Sequence, residues 1–179
     1  TNAAMIEAAG VAPALVMRDI AQNAEFFAKF ARDGGQNIID AGVAARKLGL
    51  ELSAVNSISE SLLDFETSIE KQLEASLLIG RQLNLDRARQ LALAGDQEGV
   101  VEEIRRQVGG EAEFNRLNVI ARQKLADAVG VNVEQLSRIV RNNTAASVGA
   151  AAGAAGDSGL GSKVDETNSI LRSGFRKLD

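Results

Sequence analysis

The sequence predicts an all-α fold: several short-to-medium helices joined by glycine corners, one longer amphipathic helix, and an Ala/Gly-rich linker. Three observations carry this expectation. Pro13 is the single proline, so everything after it is free to be helical. Ala, Leu, Glu, Gln and Arg dominate the composition, and these are strong helix formers. Apolar residues also recur at intervals of three and four rather than two, the period of a helix face and not of a strand.

The elements follow in order. After Pro13, "ALVMRDIAQNAEFFAKFARDGG" sets Ile20, Phe27 and Ala31 on one stripe with Phe30 beside it. The pair Gly34-Gly35 is expected to end that helix in the left-handed conformation of a C-cap. "QNIIDAGVAARKLGL" reads as a second helix closed at Gly49. The longest periodic run is "SISESLLDFETSIEKQLEASLLIGRQL", with Ser57 and Glu60 at capping-box spacing. Within it Ile58, Leu62, Phe65, Ile69, Leu73 and Leu77 recur at intervals of 4, 3, 4, 4 and 4, which predicts one continuous helix with a single apolar stripe. Ile79 lies on an adjoining face. This stripe is the candidate partner or oligomer interface, because a chain with six Phe and neither Trp nor Tyr has few large residues to cover it.

"LDRARQLALAG" predicts a shorter helix, and Asp96 is placed to cap "QEGVVEEIRRQV", which Gly109-Gly110 stops. "EAEFNRLNVIARQKLADAV" carries Phe114, Leu117, Ala121, Leu125 and Ala128 on one face, and "VEQLSRIVR" follows a turn at Gly130. Composition then shifts: twelve of the eighteen residues in 144–161 are Ala or Gly, the signature of a linker. The expected organisation is therefore an N-terminal extension (1–14), a helical domain (15–143), the linker (144–161), and the start of a further helical segment (162–179). The chain opens on Thr1 and stops in mid-pattern at "RSGFRKLD", so the reading is of a piece of a longer polypeptide.

One corner invites a sharper interpretation. "KLADAVGVNVEQLSRIVRNN" has the helix, Gly-containing turn and second helix of a DNA-binding helix-turn-helix. The same plan occurs twice more, in "ARKLGLELSAV" and "GRQLNLDRARQL". Gly49, Asn84 and Gly130 stand at the centres of the three corners, where a left-handed turn residue is expected. The flanking pairs Leu48/Leu50, Leu83/Leu85 and Val129/Val131 are suited to pin the helices across each corner. A motif used three times reads as architecture. The second helix at Gly130 carries only Glu134, Arg138 and Arg141 as charges, little to contact phosphates with, and no sequence-specific nucleic-acid partner is expected.

Chemistry is restricted by what the sequence lacks. With no His and no Cys, the usual zinc sites, cysteine nucleophiles and Ser-His-Asp triads are excluded. The net charge of −4 speaks against a broad nucleic-acid surface. Glu60 and Ser61 evoke the acid of lytic transglycosylases, but the segment that should follow is absent and Glu60 reads as an exposed capping residue. The acidic faces of Glu66–Glu74 and Glu98–Glu103 lack the loop geometry of a calcium site. No catalytic, cofactor or metal residues are assigned. Gly149 and Gly153 have the spacing of a close helix-packing motif, in a stretch too short to span a bilayer.

The run "NIIDAGVAARKLGLELSAVNSISESLLDFETSIEKQLEASLLIGRQLNLDRARQLALAGD", within residues 15–143, resembles segments of bacteriophage tail tape measure proteins. That resemblance implies a structural virion protein of the tail lumen or tail tip, assembled in the host cytoplasm. It implies a part in tail assembly, length determination and genome ejection. The implied partners are further copies of the chain, with a trimer favoured, the tail tube, and tail-tip or baseplate hub proteins; a host-membrane contact at infection is a further implication. A pure ruler is an unbroken rod, whereas the glycine corners here imply a compact, anchoring region. The competing classes are a helix-turn-helix regulator, a helical adaptor domain and a cell-wall lytic domain.

Overall fold

A computed structural model describes the backbone of residues 2–154 and the side chains of residues 2–143. The described residues form eleven α-helices and no strand. The first two are α1 (Asn2–Ala8) and α2 (Pro13–Gln22), then α3 (Ala24–Phe30), a short 3₁₀ turn (Asp33–Gly35) and α4 (Gln36–Lys47). The middle of the chain gives α5 (Leu52–Leu63), α6 (Phe65–Ile79), α7 (Asp86–Ala94) and α8 (Gln97–Val108). Last come α9 (Glu111–Arg116), α10 (Val119–Val129) and α11 (Val133–Ala154).

Residues 1–145 form one compact unit. In it α4 packs on α2, α5 and α8, α7 packs on α5 and α8, and α10 packs on α6. The main core joins Ile38, Leu52, Ile58, Leu62, Ile104 and Leu136, all essentially excluded from solvent, to residues from every helix between α3 and α11. A smaller cluster of Ile6, Val11, Val16 and Ile39 ties α1 to α2 and α4. Residues 1–14, expected as an extension, thus contribute Ile6 and Val11 to the packing. At the other end, α11 continues through Ala154, so Gly149, Gly153 and the first part of the expected linker are helical. Residues 155–161 and the segment 162–179 lie outside the described residues.

Helix breaks come more often than periodicity implies, and each has a local cause. Asn23 closes α2: its backbone N–H and its side-chain amide both donate to the Asp19 carbonyl, at 3.1 and 2.8 Å. Consequently Ile20 and Phe27 lie on two helices instead of one. The next helix ends at Phe30, before Gly34-Gly35, because the Asn37 side chain accepts from Arg32 N–H and donates to Phe30 C=O, both at 2.8 Å. The glycines form the following turn, where Gly35 (φ 89°) lies against the Phe27 ring.

Leu52 starts α5, so Ser57 and Glu60 are interior to it and do not form a capping box; the Ser57 hydroxyl donates to the Ser53 carbonyl instead. Asp64 (φ −81°, ψ 79°) then interrupts the long run, which is two helices, not one. Asn118 breaks the last amphipathic stretch by capping α10, its side-chain oxygen accepting from Ala121 N–H at 2.8 Å. Asp96 caps α8 as expected, accepting from Gly99 N–H at 2.9 Å.

Two of the three corner centres take the expected conformation. Gly49 (φ 71°) closes α4 with Leu50 N–H on Ala45 C=O and Gly49 N–H on Arg46 C=O, the paired bonds of a Schellman cap. Gly130 (φ 87°) turns α10 into α11. Asn84 is not left-handed. Gly80 (φ 71°) has already terminated α6 four residues earlier, so the second corner is an extended connector. Its backbone N–H groups are satisfied by side chains: Leu83 by Ser76 Oγ, Leu85 by Gln72 Oε1 and Asn84 by Gln107 Oε1. The Asn84 side chain accepts from Asp86 N–H at 3.0 Å and starts α7. All six apolar corner residues, Leu48, Leu50, Leu83, Leu85, Val129 and Val131, are buried.

Candidate interaction surface on α6

The break at Asp64 divides the candidate interface between interior and surface. Ile58 and Leu62, on α5, are core residues. Beyond the break the stripe turns outward: Phe65 is 45% exposed, Ile69 46%, Leu73 60% and Leu77 84%. The inner face of α6 is made of small residues, Ser68 and Ala75, which let it lie close to the body of the domain. Ala75 and Ile79 join the core, but the large side chains of the ridge do not hold the helix to it. That inversion singles α6 out.

Polar clamps add to that attachment. Buried Arg89, from α7, donates to Ser68 Oγ at 3.0 Å and to Gln72 Oε1 at 2.6 Å, and pairs with Asp86 at 2.7 Å. Burial pulls the Arg89 pKa below the usual guanidinium range, partly offset by the Asp86 charge. On the opposite flank, Lys124 of α10 bonds Glu74 at 2.9 Å, which raises the lysine pKa. Held from both sides, α6 presents a fixed apolar ridge with i, i+4 spacing.

Two concavities adjoin its C-terminal end. A shallow one of about 620 Å³ runs between Leu73, Leu77, Gly80, Arg81 and Leu83. A second, of about 470 Å³, lies between Leu78, Gly80, Arg116, Leu117 and Asn118. Exposed Val119 and Ile120 follow Asn118 at the start of α10. Sequence periodicity passed over this pair by running α9 and α10 together. The signal was Asn118, a strong N-cap residue directly before an apolar dipeptide.

The other residues weighed from sequence occupy ordinary structural places. In α11, Leu136, Ile139 and Val140 face the core, and Arg138 donates to the Gly49 carbonyl at 3.2 Å and to Glu134 at 2.5 Å. The first corner is thus held by a side chain that follows the third. Asn143 donates to the carbonyls of Arg105 and Gly109, joining α11 to the end of α8. Glu98 has a raised pKa, from partial burial first and then from Asp40, Asp96 and Glu102. Among the described residues no three His, Cys, Asp or Glu side chains are grouped to hold a metal ion, and no described helix is long and apolar enough to cross a membrane.

Glu60 is exposed on α5, 4.0 Å from Lys29, beside a small recess lined by Asn23, Phe26 and Asn56. An ion pair this long and solvated contributes little, so Glu60→Gln should change unfolding free energy by no more than about 0.5 kcal/mol. Urea denaturation checks this. A larger loss would assign the residue a role in holding α3 to α5. Compared with protein-family models, with curated proteins and with solved structures, the chain matches none.

Proposed function

We propose that this chain is a folded helical region of a bacteriophage tail tape measure protein, a structural virion component of the tail lumen or tail tip. It works by contact, and α6 is its working face. The observation that carries the contact role is the outward apolar ridge Phe65–Ile69–Leu73–Leu77 on a helix clamped to its own domain by polar side chains. A soluble domain that needed α6 only for its core would turn those residues inward, at a gain of roughly 1.5–3 kcal/mol for each large side chain fully buried. The phage assignment itself is supported by the resemblance of the run within residues 15–143. Its partners in this reading are further copies of the chain, the tail tube and tail-tip proteins. Broken helices, with the first and third corners bonded to each other, support an anchor more than a ruler, because stacked short helices do not span their contour length.

Three measurements on the parent phage test the proposal. Peptides from residues 15–143 should be recovered from purified tails, and antibodies to this region should label tails in electron micrographs. Particles encoding Leu73→Asp with Leu77→Asp should be tailless or lack the protein, while the purified variant keeps its helical circular dichroism. Recovery of the chain from host lysate but never from tails overturns the virion assignment. Normal tails in the double variant overturn the role of α6.

A further inference from the structure

The end of α6 is closed differently from the other helices that stop at a left-handed glycine. At Gly49, Gly95 and Gly130 a backbone N–H returns to the last turn. Gly80 (φ 71°) ends α6 without such a bond, so the last carbonyls of this helix keep acceptor capacity. Beside them lies the concavity of about 470 Å³. Its floor is core, since Val108, Phe114 and Leu125 are buried. Around it the surface is apolar and exposed. Leu77 and Leu78 stand on the α6 side, 84% and 41% exposed, and Val119 and Ile120, 80% and 62% exposed, directly follow the lining residue Asn118.

Three charged residues line the concavity. Arg81 is engaged, donating to the Gln107 carbonyl at 2.6 Å and lying 3.8 Å from Glu113. Arg116 is exposed and has no partner among the described residues. Two arginines against one glutamate leave a positive charge unbalanced there, in a chain whose net charge is −4.

We propose that this concavity docks a linear segment of another protein, which inserts one large apolar side chain and sets a neighbouring carboxylate on Arg116. The site lies beyond the ridge and does not depend on the virion assignment. Each part of the occupant answers a feature of the site. The buried floor takes the apolar anchor. The unbalanced guanidinium selects an acid. The unclosed end of α6 offers carbonyls to peptide N–H groups, which a simple amphiphile lacks. A small molecule filling the cavity would also leave Leu77, Val119 and Ile120 in water, whereas a chain crossing its mouth covers them.

The probes are three blocked hexapeptides, Gly-Ser-Phe-X-Gly-Ser, with X as Asp, Asn or Lys, titrated into the isotope-labelled full chain and followed by NMR. The Asp peptide should shift the amide resonances of Leu78, Gly80, Leu117 and Val119 saturably. The Asn peptide should bind about three- to fivefold more weakly, the loss of one solvated ion pair, and the Lys peptide more weakly still. Arg116→Gln should lower affinity for the Asp peptide to that for the Asn peptide and leave the latter unchanged; a merely structural role would move both. Leu78→Ser should weaken all three. Leu73→Asp, on the ridge but outside the concavity, should weaken none, so this site and the α6 ridge fail separately.

Absence of shifts at these amides with millimolar Asp peptide overturns the proposal. Equal affinity for the Asp and Lys peptides does so too, because it removes the carboxylate. Hexanoate binding as tightly as the Asp peptide would make this a site for small amphiphiles. Concentration-dependent shifts of the same amides without peptide would make a second copy the occupant. Either result overturns the assignment to a segment of another protein.

Discussion

Asp19→Ala should be among the most destabilising single substitutions in this protein, with a loss of about 3 kcal/mol. Asp19 is 2% exposed and sits where α2, α4 and α5 converge. Its carboxylate takes two bonds from the Arg46 guanidinium, the Nε one at 2.8 Å, and a weaker one from Leu52 N–H at 3.4 Å. Truncation leaves a mostly buried guanidinium without its counter-charge and removes an acceptor at the start of α5. Breaking a fully buried pair from one side costs about 3–5 kcal/mol. The lower end applies because Arg46 keeps 16% exposure through which water reaches it. In a domain of this size each kcal/mol moves Tm by roughly 2–4 °C, so a fall near 10 °C is expected. Asp19→Asn keeps one acceptor oxygen, enough for Arg46 Nε and Leu52 N–H, but sets an NH2 against Arg46 Nη2 and removes the counter-charge, so it should recover only part of the loss. A loss below 1 kcal/mol for the alanine variant, in urea denaturation, would show that apolar packing alone joins the three helices.

That network was invisible in the sequence, and the reason is general to this chain. Periodicity identifies which residues share a face within a helix, so the all-α class and the cap at Asp96 were legible. It carries no information on where a helix stops when the stop is made by a side chain from elsewhere. Asn37, several residues beyond α3, closes its end; Gln72 and Ser76 satisfy the connector after Gly80. The stripe from Ile58 to Leu77 illustrates the consequence. Spacing of three and four continues through Asp64, but the backbone turns there, and one predicted face becomes a buried half and an exposed half. Of the six candidate interface residues, Phe65, Ile69, Leu73 and Leu77 are exposed and Ile58 and Leu62 are buried in the core. Asn84 misled for a similar reason: its neighbours matched the other corners, while the left-handed residue lay four positions earlier at Gly80.

Gly130 and Gly80 offer a paired experiment that separates backbone strain from packing at the corners. Both have positive φ, 87° and 71°, so an alanine at either place suffers the left-handed penalty of about 1–2 kcal/mol. Only Gly130 is also enclosed. A Cβ there would stand 2.6 Å from Ser61 Cβ and 3.0 Å from the Ser57 carbonyl oxygen, both on α5. The carbonyl belongs to a hydrogen-bonded helix and cannot rotate away as a side chain would, so overpacking adds about 1–3 kcal/mol. Gly130→Ala is thus expected to cost roughly 3–4 kcal/mol and Gly80→Ala about 1 kcal/mol, the two terms being combined only for the first. The larger effect also reaches the proposed interface. Gly130 rests on the last turns of α5, immediately before the Asp64 break from which α6 departs, so displacing the corner moves the base of α6. In the Gly130→Ala protein the exposure of the α6 ridge should change even where the fold persists, whereas Gly80→Ala, whose Cβ would enter open space, should leave α6 in place. Equal destabilisation by the two substitutions would mean that the α10–α11 corner is not seated on α5, and that α6 takes its direction from the Arg89 and Lys124 clamps alone.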